Sequence, residues 1–251
     1  MTKSLTTVAL LGILVGAPTG LVGQDLPPAE ELVRGYVAAI GGEEVHRQAT
    51  SVRTSGTITV SGMGLQGEFE LIQITGVGSV MTTNIPGIGE MRVGFDGEVG
   101  WSINDVTGPA LMEDEELEQI RERSLLEATL RSAEVIDEME TVERTEVNGR
   151  ACYRVRLVWA SGRESHDCYA VEGGELVASE DLQVSAMGEV PVTSVFEDYR
   201  NWEGMRLPGR IRQQSMGMEQ VMEVRTVVID DADRSALELP ATIRTLLDPG
   251  S

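Results

Sequence analysis

Most of this chain alternates between apolar and polar positions with a period of two residues. In Ile58 and Val60, and again in Met91, Val93 and Phe95, every second side chain is apolar. Such alternation is typical of β strands with one buried face, and glycines mark the turns between them. The pattern predicts strands at about 52–61, 66–75, 79–85, 89–95, 98–103, 139–147, 150–159, 163–171, 175–187, 190–199, 205–215 and 218–229.

Two segments follow the helical period instead. The first begins at Pro27-Pro28 and ends at Gly41-Gly42, and apolar residues recur in it at helical spacing: Leu32, Val33, Tyr36, Val37 and Ile40. The second covers about 113–131 and begins with four acidic residues, which complement the helix dipole. Its apolar side includes Leu117, Ile120 and Leu125. Each helix therefore has an apolar stripe that must lie on a sheet.

The order of these elements is helix, five strands, helix and seven strands. Consecutive strands joined by short turns pair antiparallel, and about twelve twisted strands curl rather than lie flat. We therefore predict a mainly β (α+β) fold. It is a curved antiparallel half-barrel, or unclosed β-barrel, of about 11–12 strands, with the helices covering its concave mouth.

Residues 1–23 have the features of a secretory signal peptide. Lys3 precedes an apolar stretch at 8–15, and small and turn residues follow it. The apolar stretch is too short to span a bilayer. We expect cleavage near Gly23-Gln24 and a single domain over residues 24–251. The mature protein is expected to be soluble after export and monomeric.

The charge of the chain excludes one class of partner. There are 41 acidic residues against 20 basic ones, the formal net charge is −21, and Lys3 is the only lysine. A molecule with this charge repels nucleic acids and anionic lipid headgroups. We therefore expect no nucleic-acid partner.

The two cysteines, Cys152 and Cys168, predict one disulfide, because an exported chain meets oxidising conditions. The bond would close a loop of about 15 residues, which stabilises a fold by roughly 3 kcal/mol. If Ser161-Gly162 form a two-residue turn, Cys152 falls opposite Val171 and on the other face from Cys168. A bulge or a three-residue turn would bring both cysteines onto one face.

Residues suited to catalysis or metal binding are scarce. His46 and His166 are the only histidines, and neither they nor the cysteines have zinc-ligand spacing. The run His166-Asp167-Cys168 has the composition of a nucleophilic triad, but adjacent strand residues point to opposite faces. The acidic run 230–233 is typical of a turn with Asx caps. We expect no enzyme activity, no catalytic or metal site and no cofactor.

Methionine is unusually frequent after the predicted signal peptide. Its unbranched, soft side chain suits a cavity whose contents vary. Alternatively, methionines fill gaps in a core that is short of aromatic residues, which are only 4% of the chain. Both interpretations apply to the same set: Met63, Met81, Met91, Met112, Met139, Met187, Met205, Met216, Met218 and Met222.

Two short patterns lie at predicted turns. One is Gly94-Phe95-Asp96-Gly97 followed by Trp101, and the other is Asp198-Tyr199-Arg200 followed by Gly204 and Leu207-Pro208. The first predicts a hairpin that sets one large ring on a defined face of the sheet, the expected working surface. Further short motifs and single positions of note along the chain are Tyr36, Ile40, Gly41-Gly42, Gly56, Met63-Gly64, Pro86-Gly87-Ile88-Gly89, Gly108-Pro109, Asn148-Gly149-Arg150 and Leu239-Pro240.

In their order and spacing, from about residue 32 to 240, these motifs resemble the bacterial outer-membrane lipoprotein-sorting proteins, the LolA-like superfamily. The resemblance implies an unclosed antiparallel barrel with an apolar cavity that takes the acyl chains of lipids or lipoproteins. It also implies two partners, an inner-membrane ABC transporter and an outer-membrane acceptor. We expect cavity residues at Met91, Val93, Phe95, Trp101 and Ile103, and a lid formed by Leu117, Ile120 and Leu125.

Three functions are compatible with these features. The first is a periplasmic carrier, or chaperone, of lipid or lipoprotein acyl chains, serving outer-membrane lipoprotein sorting. The second is a regulatory or sensor module of the same fold that binds an anti-sigma factor. The third is an accessory domain of an exported peptidase or envelope complex. Acyl-chain mass recovered with the purified protein favours the first, and a lipid-independent complex with a membrane-anchored regulator favours the second.

Overall fold

The computed structural model describes residues 26–185 and 188–248, and the predicted signal peptide, 1–23, lies outside them. The first half of the fold contains α1 (Ala29–Ala39), α2 (Glu43–Gln48), β1 (Ser51–Val60), β2 (Leu65–Ile74), β3 (Gly78–Ile85), β4 (Gly89–Phe95), β5 (Gly100–Asn104), β6 (Gly108–Leu111), α3 (Asp114–Ser124) and α4 (Leu126–Leu130). The second half contains β7 (Ile136–Val147), β8 (Arg150–Trp159), β9 (Glu164–Ala170), β10 (Leu176–Ser185), β11 (Gly188–Glu197), β12 (Arg200–Trp202), β13 (Met205–Leu207), β14 (Arg210–Ser215), β15 (Met218–Ile229), a 3₁₀ turn (Arg234–Leu237) and α5 (Ala241–Leu247).

Thirteen of the described strands form one antiparallel sheet, and β12 and β13 form a separate hairpin. The strand order is β6-β5-β4-β3-β2-β1-β15-β14-β11-β10-β9-β8-β7, so β1 and β15 join the two halves of the chain. Its two ends, β6 and β7, do not pair with each other in the described part of the chain, and the barrel is unclosed. The predicted fold class is confirmed.

The structure also contains elements that the sequence pattern did not predict. These are β6, β12 and α5, the last of which begins after Pro240, and the strand predicted at 205–215 is divided into β13, which pairs with β12, and β14. Strands of three or four residues are too short to show an alternation. The segment after β15 was predicted only as a capped turn, and that cap is present, because Asp233 Oδ1 accepts a hydrogen bond from Ser235 N at 2.8 Å.

Side chains of the large sheet point to two faces. We call the face on which α1, α3 and α4 lie the inner face, and the opposite face the outer face. On β7, β8 and β9 the inner face is covered by α1 and α4, whose Val33, Tyr36 and Ala128 pack with Val155 and Leu157. This cluster is the largest part of the described hydrophobic core and fixes the position of both helices.

The C-terminal segment covers the outer face at the other end of the sheet. Leu237 of the 3₁₀ turn and Ile243 of α5 are buried in one cluster with Ile74, Val80 and Trp101. As a result, the strands β3 to β6 have an apolar cover on their outer face, and β3 to β5 also have α3 on their inner face.

A disulfide joins Cys152 of β8 to Cys168 of β9, with 5.5 Å between their Cα atoms. Trp159 N donates to Arg163 O, so the turn between these strands has three central residues rather than two. Cys152 therefore lies opposite Ala170 and on the same face as Cys168. Because Val155 and Leu157 face the α1 helix, the disulfide lies on the outer face.

Candidate functional site

Three of the predicted cavity residues lie on the inner face beneath α3. Phe95 pairs with Gly100, and a Cβ atom on Gly100 would lie 3.0 Å from Leu117 Cδ1 and 3.1 Å from Ile120 Cγ2. Gly100 therefore faces α3, and so does Phe95. Met91 and Val93 alternate with Phe95 along β4 and share its face. The structure thus brings Leu117 and Ile120 of α3 over the same face as these three side chains.

Trp101 and Ile103 lie on the outer face, which corrects the expectation that all five side chains share one surface. Trp101 pairs with Gly94 and is 0% exposed, because the C-terminal segment covers it. Ile103 packs against the same cluster. The physical reason is the alternation of β5: Gly100 faces α3, so the next residue must face the C-terminal segment.

The Phe-Asp-Gly turn is structural. Asp96 Oδ1 accepts hydrogen bonds from Glu98 N at 2.9 Å and from Val99 N at 2.8 Å, and Gly97 has a φ of 110°. An Asx turn of this kind closes the β4–β5 connection. The motif that predicted a working surface therefore positions Trp101 in the core.

The second motif places an aromatic ring on the inner face. Tyr199 OH donates to Leu176 O at 2.9 Å, and burial raises the pKa of this phenol, so it stays a donor. The hairpin that follows packs Trp202 and Leu207 into a cluster with Ile58 and Phe69. Trp202 is not among the predicted site residues, because a three-residue strand has no alternation that would assign its face.

Part of the apolar inner face is incompletely covered. Leu71, Met81 and Val93 lie directly opposite one another on β2, β3 and β4, and each is partly exposed. We call these three residues the apolar row. Met91, one pleat along β4, is 39% exposed. Alternating register places the row on the same face as Phe95, beneath α3.

Polar contacts hold α3 to β10. Pairing between β9 and β10 ends at Asp181, and beyond that point the buried side chain of Gln119 hydrogen-bonds to the exposed strand edge. Its Nε2 donates to Leu182 O at 2.6 Å, and its Oε1 accepts from Val184 N at 3.1 Å. The amide thus continues the hydrogen bonding that a neighbouring strand would provide.

A network of ion pairs also links α3 to the sheet. Arg163 Nε donates to Glu122 Oε1 at 3.1 Å, and its Nη1 contacts Asp181 Oδ1. Arg123 Nη2 donates to Asp181 Oδ2 at 2.8 Å. The Arg163 guanidinium lies over the ring of Trp159, with 4.3 Å between Cζ and the ring centroid. Charges that are largely removed from water need such partners to remain ionised.

A cavity of about 280 Å³ lies against this network on β8, β9, β10, β11 and β14. We call it the polar cavity, and the side chains that give it this character are Arg123, Arg131, Arg163, Asp181, Gln183 and Gln213. A smaller crevice of about 80 Å³ contains Leu125, the third predicted lid residue, with Val52 and Leu207. Leu125 therefore lies away from Leu117 and Ile120, at the junction of α3 and α4.

A buried polar cluster lies beneath α1. Arg131 Nε donates to Asp167 Oδ2 at 2.7 Å, and Tyr169 OH donates to the same oxygen at 2.9 Å. Burial raises the pKa of Tyr169 well above its usual value, and the Asp167 charge adds to that shift. Tyr169 therefore stays protonated and keeps donating, while Tyr36 packs on its ring at a centroid distance of 5.4 Å.

Two further properties concern membranes and metals. Within residues 26–185 and 188–248, no helix has both the length and the apolar character needed to cross a bilayer. The same described ranges contain no group of three or more His, Cys, Asp or Glu side chains that could hold a metal ion.

Several solved structures have a similar fold. A LolA superfamily protein from Nitrosomonas europaea matches with a TM-score of 0.55 and 11% identity, over 85% of this chain and 99% of the other. A DUF1329 family protein from Desulfovibrio piger matches with a TM-score of 0.57 and 12% identity, over 85% and 100%. A putative outer membrane lipoprotein-sorting protein domain from Vibrio parahaemolyticus matches with a TM-score of 0.50 and 9% identity, over 82% and 94%.

No protein-family model matches the chain, and its sequence matches none of the curated proteins. Structural similarity at identities of 12% or less shows a shared fold and no more. This chain therefore shares the fold of LolA superfamily proteins and outer-membrane lipoprotein-sorting domains, as its motifs predicted.

Proposed function

We propose that this protein is an exported binding protein that holds an acyl chain of a lipid or lipoprotein on the inner face of its sheet. The observation that carries the proposal is the apolar row, a line of partly exposed side chains on the face of the sheet where α3 lies. In a folded protein, apolar side chains of this kind are normally packed or used for binding.

The dimensions of the inner face suit one hydrocarbon chain. The line that contains the apolar row continues through Thr54 of β1 to Val227 of β15, so it crosses five strands. Strands are spaced about 4.8 Å apart, which gives a length of about 19 Å. A bilayer core is about 30 Å thick, so a single acyl chain reaches about 15 Å.

Energetics also favour such a ligand. Burial of a saturated chain contributes about 0.8 kcal/mol for each methylene, or about 11 kcal/mol for fourteen of them, before ordering costs. That gross contribution is large enough for a carrier. Release to an outer-membrane acceptor, loading by an inner-membrane ABC transporter and residence in the periplasm remain predictions that follow from the same proposal.

The test measures the binding of a fluorescent fatty acid to the wild type and to two methionine variants. Met91→Glu places a carboxylate at the margin of the apolar row, where an acyl chain would strip water from it. We expect affinity to fall about tenfold, because an unpaired charge beside hydrocarbon costs more than 1.4 kcal/mol. The control, Met216→Glu, alters a methionine that is 61% exposed in the β14–β15 turn.

The control is expected to bind like the wild type. Native mass spectrometry of the purified protein provides a second, independent readout, in which acyl-chain mass should accompany the wild-type chain. Equal affinities for all three proteins, together with a consistently empty wild type, would rule out an acyl-chain site on the inner face.

A further inference from the structure

The wall of the polar cavity is cationic, although the chain as a whole has about twice as many acidic as basic residues. Three arginines and one carboxylate line it, Asp181 being the carboxylate. The other carboxylates of the network, Asp167 and Glu122, are buried, pair with Arg131 and Arg163, and are not part of the cavity wall. An anion inside the cavity would therefore meet guanidinium groups first.

Arg123 holds the donors that a ligand can reach. A guanidinium carries five N–H donors, and among the hydrogen bonds of the described residues Arg123 uses only Nη2, toward Asp181. Its side chain is 38% exposed. Arg163, by contrast, uses Nε, Nη1 and Nη2 for Glu122 and Asp181. Arg123 is thus the arginine whose guanidinium is both accessible and incompletely paired.

Apolar side chains on neighbouring strands connect the polar cavity to the apolar part of the inner face. Phe196 lines the cavity and lies opposite Ile211 of β14. Ile211 in turn lies opposite Met222 of β15, which packs in one cluster with Ile58 and Met81. A molecule with a polar head and a hydrocarbon tail can therefore contact both regions at the same time.

We propose that the polar cavity binds the oxyanion headgroup, a phosphate or a carboxylate, of the amphiphile whose acyl chain lies along the apolar row. This inference rests on the proposed function and adds the headgroup class to it. Guanidinium groups bind such oxyanions through paired N–H···O bonds. The net negative charge of the molecule acts through solvent and is screened beyond about 8 Å at physiological ionic strength, whereas Arg123 contacts the headgroup directly.

The experiment compares two ligands with the same tail. Monopalmitoylglycerol lacks a charge, and palmitoyl lysophosphatidic acid adds a phosphate to it; calorimetry gives both dissociation constants. We expect the wild type to bind the phosphorylated ligand about tenfold more tightly, the effect of one charge-assisted hydrogen bond. Arg123→Gln should reduce this ratio to about two or less, since the amide has no charge.

Arg121→Gln is the matched control. Arg121 lies on the same helix, pairs with Glu118 and is not part of the cavity wall, so the ratio should stay about tenfold. Arg123→Gln is expected to fold, because Asp181 keeps its contact with Arg163. A wild-type ratio near one, or a tenfold ratio that survives in Arg123→Gln, would overturn the headgroup site.

Glycerol phosphate and inorganic phosphate have no acyl chain, so they test the oxyanion site separately from the acyl-chain function. If either binds the wild type but not Arg123→Gln while neither palmitoyl ligand binds, the oxyanion site stands and the acyl-chain function is refuted. If both palmitoyl ligands bind equally well and Arg123→Gln changes nothing, the acyl-chain function stands and the oxyanion site is refuted.

Discussion

At the scale of single residues, the most conspicuous motif of the sequence proves to be a packing device. Gly94 lies directly opposite Trp101, and a Cβ atom at position 94 would come within 2.5 Å of Trp101 Cζ2. The glycine therefore leaves the space that the indole occupies on the outer face. Arg92 lies over the same ring, with 5.2 Å between its Cζ and the ring centroid.

Gly94→Ala should destabilise the fold, whereas the same substitution at Gly35 should stabilise it. The indole is fully buried and cannot move aside, so we expect the free energy of unfolding to fall by about 2 kcal/mol, as for other overpacked cores. A Cβ atom on Gly35, in α1, meets nothing within 4 Å. Alanine there should add about 0.5 to 1 kcal/mol, because it restricts the unfolded chain.

Urea denaturation of both variants gives the two free energies. A Gly94→Ala protein as stable as the wild type would mean that the Trp101 ring does not require this glycine. A destabilised Gly35→Ala protein would instead indicate that α1 has a packing constraint beyond the contacts seen in the described residues.

At the scale of elements, α3 combines weak apolar packing with polar attachments. Leu117 and Ile120 cover Gly100, and Gln119, Glu122 and Arg123 make hydrogen bonds and ion pairs with β10 and the β8–β9 turn. Hydrogen bonds and ion pairs that water replaces on separation cost less to break than buried apolar area. A helix attached in this way can separate from the sheet without unfolding the core.

Replacing both Leu117 and Ile120 with Asp should displace α3 from the inner face. Two carboxylates cannot remain against Gly100 and Phe95 without losing their hydration. We expect uptake of a fluorescent fatty acid to be abolished while the β-type circular dichroism is retained. The matched control is Leu246→Asp with Leu247→Asp, two exposed leucines of α5, which should leave uptake intact.

Unchanged uptake in the Leu117 and Ile120 variant would exclude α3 as the cover of the ligand. Loss of the β signal in that variant would show instead that α3 is required for folding, in which case Gln119→Ala, which removes only the contact with β10, becomes the informative substitution.

At the scale of the whole molecule, the outer face of the described sheet has only structural features, whereas the proposed binding features lie on the inner face beside the largest core cluster. The disulfide and the C-terminal cover lie on the outer face. The apolar row, the polar cavity and α3 lie on the inner face. Because the two sets of side chains alternate along the same strands, a change on one face need not alter the shape of the other.

Removal of the disulfide tests whether a change on the outer face leaves the inner face unaltered. Replacing Cys152 and Cys168 with Ala removes the constraint on a loop of about 15 residues and should lower the free energy of unfolding by about 3 kcal/mol. Acyl-chain affinity should stay at its wild-type value, because the bond lies on the outer face. In the wild type, a thiol reagent should label the protein only after reduction.

Equal stability with and without the disulfide would mean that β8 and β9 are fully fixed by their own pairing. Loss of acyl-chain binding in a folded double variant would contradict the assignment of binding to the inner face alone.

Alternation, helical periodicity and turn residues in the sequence were sufficient to predict the order of most elements, the antiparallel pairing and the unclosed barrel. They also predicted that Met91, Val93 and Phe95 share a face, since a period of two residues fixes relative orientation. The pairing of the cysteines was predicted with two alternatives for its geometry, and the three-residue turn is the alternative that occurs.

Only the tertiary structure decided which face is which. The apolar side chains of β4 (Met91, Val93 and Phe95) lie on one face of the sheet and those of β5 (Trp101 and Ile103) on the other, so alternation within each strand cannot tell whether Trp101 faces α3 or another cover. The answer depends on α5 and the 3₁₀ turn, which lie more than 130 residues further along the chain. The polar cavity likewise forms from side chains of α3, α4 and five strands. Contacts between segments so distant in sequence leave no local pattern that sequence periodicity can detect.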